Sequence, residues 1–205
     1  MTAVLRVQFY NPENDEQGFI NKLVATVDPP FCHCELHLPD NMACSIFMYS
    51  EVHYKYRTFS NPAYTCVHIK CTAQQIAALR SLIKSTLDSR VKFSTSAMIG
   101  SYYGVDMCPD NHTFCSKLVA ELLQNVGILP NTLACNVISP SKLYNILLQL
   151  PNYMPPQTPN YIQQNYIPPQ LPSTQRRPDP EQSFTIDWSH NEHGAKLSLA
   201  RRKNN

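Results

Sequence analysis

Two short stretches of the chain carry residue types suited to thiol chemistry. One is Phe31-Cys32-His33-Cys34-Glu35-Leu36-His37-Leu38, the other Thr113-Phe114-Cys115-Ser116. In an extended strand alternate residues share a face, so His33, Glu35 and His37 point one way, Cys32 and Cys34 the other. An imidazole activates a thiol, and a third polar group fixes the ring's tautomer and steadies the imidazolium. His33 and Glu35 have the types for base and orienting group; a solvent-facing hairpin edge is the competing reading of the same pair. Cys115 falls in the first turn of an expected helix, where the positive end of the helix dipole favours thiolate. Helical spacing sets it on one face with Val119, Leu122 and Val126, the face expected to be buried. An inert buried cysteine fits that placement too. His112 is a rival base three residues before Cys115. It sits in the polar loop MCPDNHT and lacks the orienting partner that His33 has in Glu35.

The chain has eight cysteines: Cys32, Cys34, Cys44, Cys66, Cys71, Cys108, Cys115 and Cys135. An even count suits disulfides. The opening MTAVLRVQFYN, however, is too short and too soon polar for a secretory signal, so reduced thiols are expected. Three Cys/His groupings (Cys32-His33-Cys34, Cys66-x-His68-x2-Cys71 and Cys108-x3-His112-x2-Cys115) invite a zinc reading. None has the paired C-x2-C spacing of a structural zinc site. Cys32 and Cys34 read as small apolar core residues. With only 5 glycines and no G-x-G-x-x-G or G-x4-G-K-S, phosphate-cradling loops are excluded. Neither metal nor cofactor is expected.

The elements that must position these groups follow from periodicity. Val4–Tyr10, Phe31–Leu38, Met42–Tyr49 and Tyr64–Cys71 read as strands, the middle two joined by a turn at Pro39-Asp40-Asn41. Asp15 is placed to cap a helix bearing Phe19, Ile20, Leu23, Val24 and Val27, stopped by Pro29-Pro30. Thr72 with Gln75 forms a capping-box pattern ahead of Ile76, Leu79, Leu82, Ile83 and Leu87. Thr113 is expected to cap a helix over Phe114–Val126 closed by Gly127, and Ser139-Pro140 to open a last helix running to Leu150. The fold class is α+β with a central antiparallel sheet. Composition changes near residue 150: nine of the 17 prolines lie in 151–205. Residues 1–150 are expected to form one domain and 151–205 a proline-rich, disordered tail. The net charge of +2 resides in that tail, which argues against nucleic-acid binding by bulk charge. No apolar run approaches the roughly 18–20 residues of a membrane span.

Together these residues resemble the circularly permuted NlpC/p60 group of papain-like cysteine enzymes. That group includes lecithin:retinol acyltransferase-like proteins and poxvirus and bacterial members, and in it the histidine precedes the cysteine. FCHCELHLPDN stands where the family has its His-x-Glu strand and turn; TFCSKLVAELLQNVGIL stands where it has its Cys-Ser helix. The resemblance covers about residues 1–150 and departs from the family in the cysteines flanking His33. It implies a permuted papain-like core with Cys115 as nucleophile, His33 as base and Glu35 as third residue. Some branches use a histidine third, which brings in His37, and tyrosines ahead of the nucleophile, here Tyr102 and Tyr103, often line the site. The implied activity is a cysteine hydrolase (peptidase or amidase) or acyltransferase working on an amide, ester or thioester. A small peptide, lipid or acyl substrate is expected, with a lipid ester or isopeptide-like amide preferred because no secretory signal points to cell-wall lysis. A cytoplasmic location follows, host cytoplasm or virion if the chain is viral. The alternative is a catalytically inactive papain-like scaffold whose tail, with Pro168-Pro169-Gln170-Leu171-Pro172, recruits a protein partner.

Overall fold

The computed structural model describes residues 2–14 and 27–155. The chain divides into two units, 1–160 and 161–205, and the second lies outside the described residues. The expected helix that starts at Asp15 and bears Phe19 to Val27 also lies outside them, except for Val27, which is exposed.

Alternation builds the sheet. β1 (Thr2–Tyr10) lies between β2 (His33–His37) and β5 (Tyr64–Thr72), antiparallel to both. Beyond β2 come β3 (Met42–Ser45) and β4 (His53–Tyr56), and beyond β5 comes β8 (Tyr153–Met154), giving the order β4-β3-β2-β1-β5-β8. The register pairs Val7 with Leu36 and Val67, and Phe9 with Cys34. Leu5, Val7, Phe9, Cys34, Leu36, Val67 and Ile69 therefore share one face, all essentially buried.

Helices α1 (Ala73–Asp88), α3 (Cys115–Asn125) and α4 (Pro140–Leu148) cover that face, while α2 (Thr95–Tyr103) packs Ala97 and Met98 with Phe114 in a smaller cluster. Ile76, Leu79 and Ile83 of α1, Leu118, Val119, Leu122 and Leu123 of α3, and Leu143 and Leu147 of α4 join the sheet in one core. Thr72 caps α1 through a full capping box with Gln75, as the sequence leads one to expect. Gly127, at φ 69°, closes α3: its N–H donates to Gln124 and that of Ile128 to Leu123, satisfying carbonyls the helix leaves open. β6 (Lys92–Phe93) and β7 (His112–Thr113) form a small parallel pair beside the main sheet. The fold is mixed α+β, with helices on one face of an antiparallel sheet.

Three details differ from expectation. The returning strand of the hairpin stops at Ser45 rather than Tyr49, because Phe47–Ser50 closes a turn in which Tyr49 takes φ 63°. The chain then re-enters the sheet as β4. Helix α2, opened by Ser94 and ended by Gly104 at φ 72°, has a weak amphipathic pattern and is legible mainly from its caps. Tyr153–Met154, assigned by composition to the tail, instead adds an edge strand to β5, where Lys70 N–H donates to the Asn152 carbonyl.

Candidate active site

The pairing of β2 with β3 covers only Leu36–Cys44 and His37–Ala43, so residues 33–35 run beyond that ladder. Beside this opening α3 begins. Its N-cap is Phe114, extended and fully buried, and no side chain caps the helix. The expected Thr113 cap is not formed; the Thr113 hydroxyl donates instead to the Phe114 carbonyl at 3.4 Å. The first N–H groups of α3 thus keep their positive field for whatever lies at Cys115.

Cys115 lies in the core, 2% exposed, within reach of His33 and of both the thiol and the backbone N–H of Cys34. Donation from the Cys34 S–H is the strongest influence on its titration. Burial works against that donation, and His33 adds to it, so the Cys115 thiol is held well below its ordinary value. Cys34 is correspondingly pushed up, first by burial and then by its bond to Cys115, and stays a protonated donor. Burial pushes Cys32 and Cys44 up to about 12 and Cys135 up to about 11, and it also raises Cys66 and Cys71.

His33 answers the thiolate. Burial lowers it, but bonds to Cys115 and Glu35 outweigh burial and raise it to about 9. Its Nε2 is 3.1 Å from Ser45 Oγ and 3.7 Å from Glu35 Oε1. Its ring stacks on Phe47 at 4.7 Å between centroids. Glu35 is fully buried and bound by Arg57 at 2.7 Å. Burial alone would raise its carboxyl; the bond to His33 and the charge of Arg57 hold it below its ordinary value. Arg57 itself lies between the rings of Phe59 (5.0 Å) and Phe47 (5.8 Å).

The other sequence candidates separate. His37 shares the face of Glu35 but contacts Gln8 and the ring of Phe59, not His33. His112 points its Nδ1 at the Asp110 carbonyl, 2.7 Å away, in a separate hollow with Glu121 and Asn125. It is not among the groups acting on Cys115. Tyr102 is buried close enough to Cys115 for the thiolate to raise its phenol, burial being the larger cause. Its hydroxyl has no hydrogen-bond partner among the described residues. Tyr103, 72% exposed, turns away from the site. Ser45, Arg57 and Phe47 carry no motif. Only the pairing register and the fold of residues 57–61 over the sheet bring them in.

A cavity of about 380 Å³ opens onto Cys115 and His33. Its walls mix aromatic and apolar side chains, Phe47, Phe59, Tyr64 and Met98 among them, with the polar Thr58, Ser60 and Asn61, and Arg57 is the one Lys or Arg in its lining. Among the described residues no three His, Cys, Asp or Glu side chains converge as a metal site. No helix there is long and apolar enough to cross a membrane. The arrangement sets a buried thiol at a helix start near an imidazole, a buried carboxylate behind that ring, and a cavity of mixed polar and apolar lining in front. No protein-family model matches the chain, and neither a curated protein nor a solved structure matches it.

Proposed function

We propose that the chain is a cysteine hydrolase or acyltransferase on a permuted papain-like core, cleaving an amide, ester or thioester through an acyl-enzyme on Cys115. The observation that carries this reading is that Cys115, at the uncapped start of α3, and His33, backed by Ser45 and Glu35, line one cavity. The Cys115 thiol is held low there, while burial raises six other cysteines. Lowering a buried thiol takes a dedicated set of donors, and nucleophilic cysteines are found in such surroundings.

In this mechanism the Cys115 thiolate attacks the carbonyl carbon and the His33 imidazolium protonates the leaving group. The neutral ring then takes a proton from water or from an acceptor amine or alcohol, which attacks the acyl-enzyme and frees the thiolate. Glu35, clamped by Arg57, keeps negative charge behind the ring. The uncapped N–H groups at the start of α3 supply donors where an oxyanion would form. The permuted order is supported by His33 lying on β2, ahead of the helix that bears Cys115.

The test is trapping. The full chain is incubated with simple amide, ester and thioester acyl donors, quenched in acid, and digested for mass spectrometry. An acyl adduct on Cys115, absent from His33→Ala, is the expected result. Adducts spread over several cysteines, or on none, would remove the catalytic reading.

A further inference from the structure

We propose that Ser45 is the positioning residue that holds the far nitrogen of His33, with Glu35 acting behind it as a fixed charge. This inference rests on the thiol–imidazole reading of Cys115 and His33. The Ser45 hydroxyl is the nearest partner of His33 Nε2, 3.1 Å against 3.7 Å for Glu35 Oε1. That same carboxylate oxygen is engaged at 2.7 Å by Arg57. The shorter contact is therefore to the hydroxyl, and the carboxylate is drawn toward the guanidinium.

The fold supports this geometry. Ser45 is fully buried on β3 and pairs with His53 on β4, so the sheet fixes its Cα. One step further along the β2–β3 register sets Ser45 opposite Glu35, on the same face. Phe47, two residues on, stacks on the His33 ring and restricts its tilt. Ser45 then restricts its rotation. With the hydroxyl accepting at Nε2, the proton of the neutral ring sits on that nitrogen and Nδ1 is left without one. The buried negative charge of Glu35 favours the same tautomer.

The experiment compares Ser45→Ala, Ser45→Thr and Glu35→Gln in the full chain by two readouts. One is the rate of Cys115 alkylation by iodoacetamide from pH 5 to 9. The other, recorded above the pH of about 9 at which the ring loses its extra proton, is the nitrogen NMR signature of the His33 ring, which reports which nitrogen carries the remaining proton. Ser45→Ala should slow alkylation at pH 6 about tenfold, the order expected for losing one hydrogen bond to a charged group, and should populate the Nδ1–H tautomer. Ser45→Thr keeps the hydroxyl and should restore both. Glu35→Gln should affect the tautomer less than Ser45→Ala does. An unchanged tautomer in Ser45→Ala, or a loss reproduced in full by Glu35→Gln, overturns the assignment. If wild-type Cys115 alkylates like an ordinary thiol, the catalytic reading fails instead, and the NMR signature still decides the role of Ser45. Should Ser45→Ala not fold, Ser45→Cys keeps the size, weakens the bond, and carries the same comparison.

Discussion

Replacing Arg57 by alanine strips the buried Glu35 carboxylate of its closest partner. The bond is 2.7 Å, Glu35 is fully buried, and Arg57 is 24% exposed. Breaking a wholly buried ion pair by removing one partner costs about 3–5 kcal/mol, against about 0–1 for an exposed pair. The partial exposure of Arg57 lets water replace some of what it gave. Glu35 Oε2 already lacks a partner among the described residues, so it has nothing in reserve, and the loss falls near the lower bound. Loss of the guanidinium from between Phe47 and Phe59 adds roughly 0.5–1 kcal/mol. The expected destabilisation is about 3.5–4 kcal/mol, or a Tm lower by roughly 7–16 °C. Glu35 sits below its ordinary 4.5, so its contribution is present above that pH and fades as pH falls through the folded value. The cost of Arg57→Ala should therefore shrink on acidification. Urea unfolding followed by circular dichroism is the assay, because the single tryptophan, Trp188, lies outside the described residues. In a Glu35→Gln background the same replacement should cost only about 1 kcal/mol. A cost below about 0.5 kcal/mol, or one unchanged in that background, refutes the view that Arg57 serves a buried charge.

Further outcomes follow from the same geometry. Cys34→Ala removes the strongest donor to Cys115, so alkylation of Cys115 at pH 6 should fall about tenfold, while Cys34→Ser should keep most of it. An unchanged rate in Cys34→Ala would remove Cys34 from the site. His33 should titrate near 9 by NMR and fall markedly in Cys115→Ala, where burial has less to oppose it. The sign is that of a raised cation: the stabilisation is full below 6.5 and is lost as pH rises through about 9, which a pH series of unfolding curves checks. His112→Ala should leave the Cys115 alkylation rate within about twofold of wild type, since that ring faces a separate hollow. Tyr102→Phe should leave stability unchanged or raise it by up to about 1 kcal/mol by deleting a buried, unpartnered hydroxyl.

The sheet centre was legible because β1, β2 and β5 alternate strongly, and α1 because Thr72 and Gln75 spell out its cap. The short edges were not. Tyr153–Met154 is two residues in a proline-rich context, and its pairing is flanked by two bonds between Lys70 and Asn152, one backbone and one from the Asn152 side-chain amide, that no local pattern records. Period two correctly set Glu35 beside His37, yet it said nothing of where the β2–β3 ladder would stop. That stopping point lets a thiol from the helix-covered side meet a ring on the strand. The assignment of Cys34 to the core holds, since it is fully buried, but burial was only half its role; its thiol also turns to Cys115. Ser45 and Arg57 were invisible for the same reason: one is a lone serine in an apolar strand, the other an arginine after a strand. Each acquires meaning only from its cross-sheet partner.

The most direct test of the central claim is the iodoacetamide reactivity of all eight thiols between pH 5 and 9, read by mass spectrometry on wild type and His33→Ala. The account predicts that Cys115 alone alkylates at the acid end and loses that reactivity when His33 is removed. Cys115 reacting like the other buried thiols, or reacting equally well without His33, would contradict it.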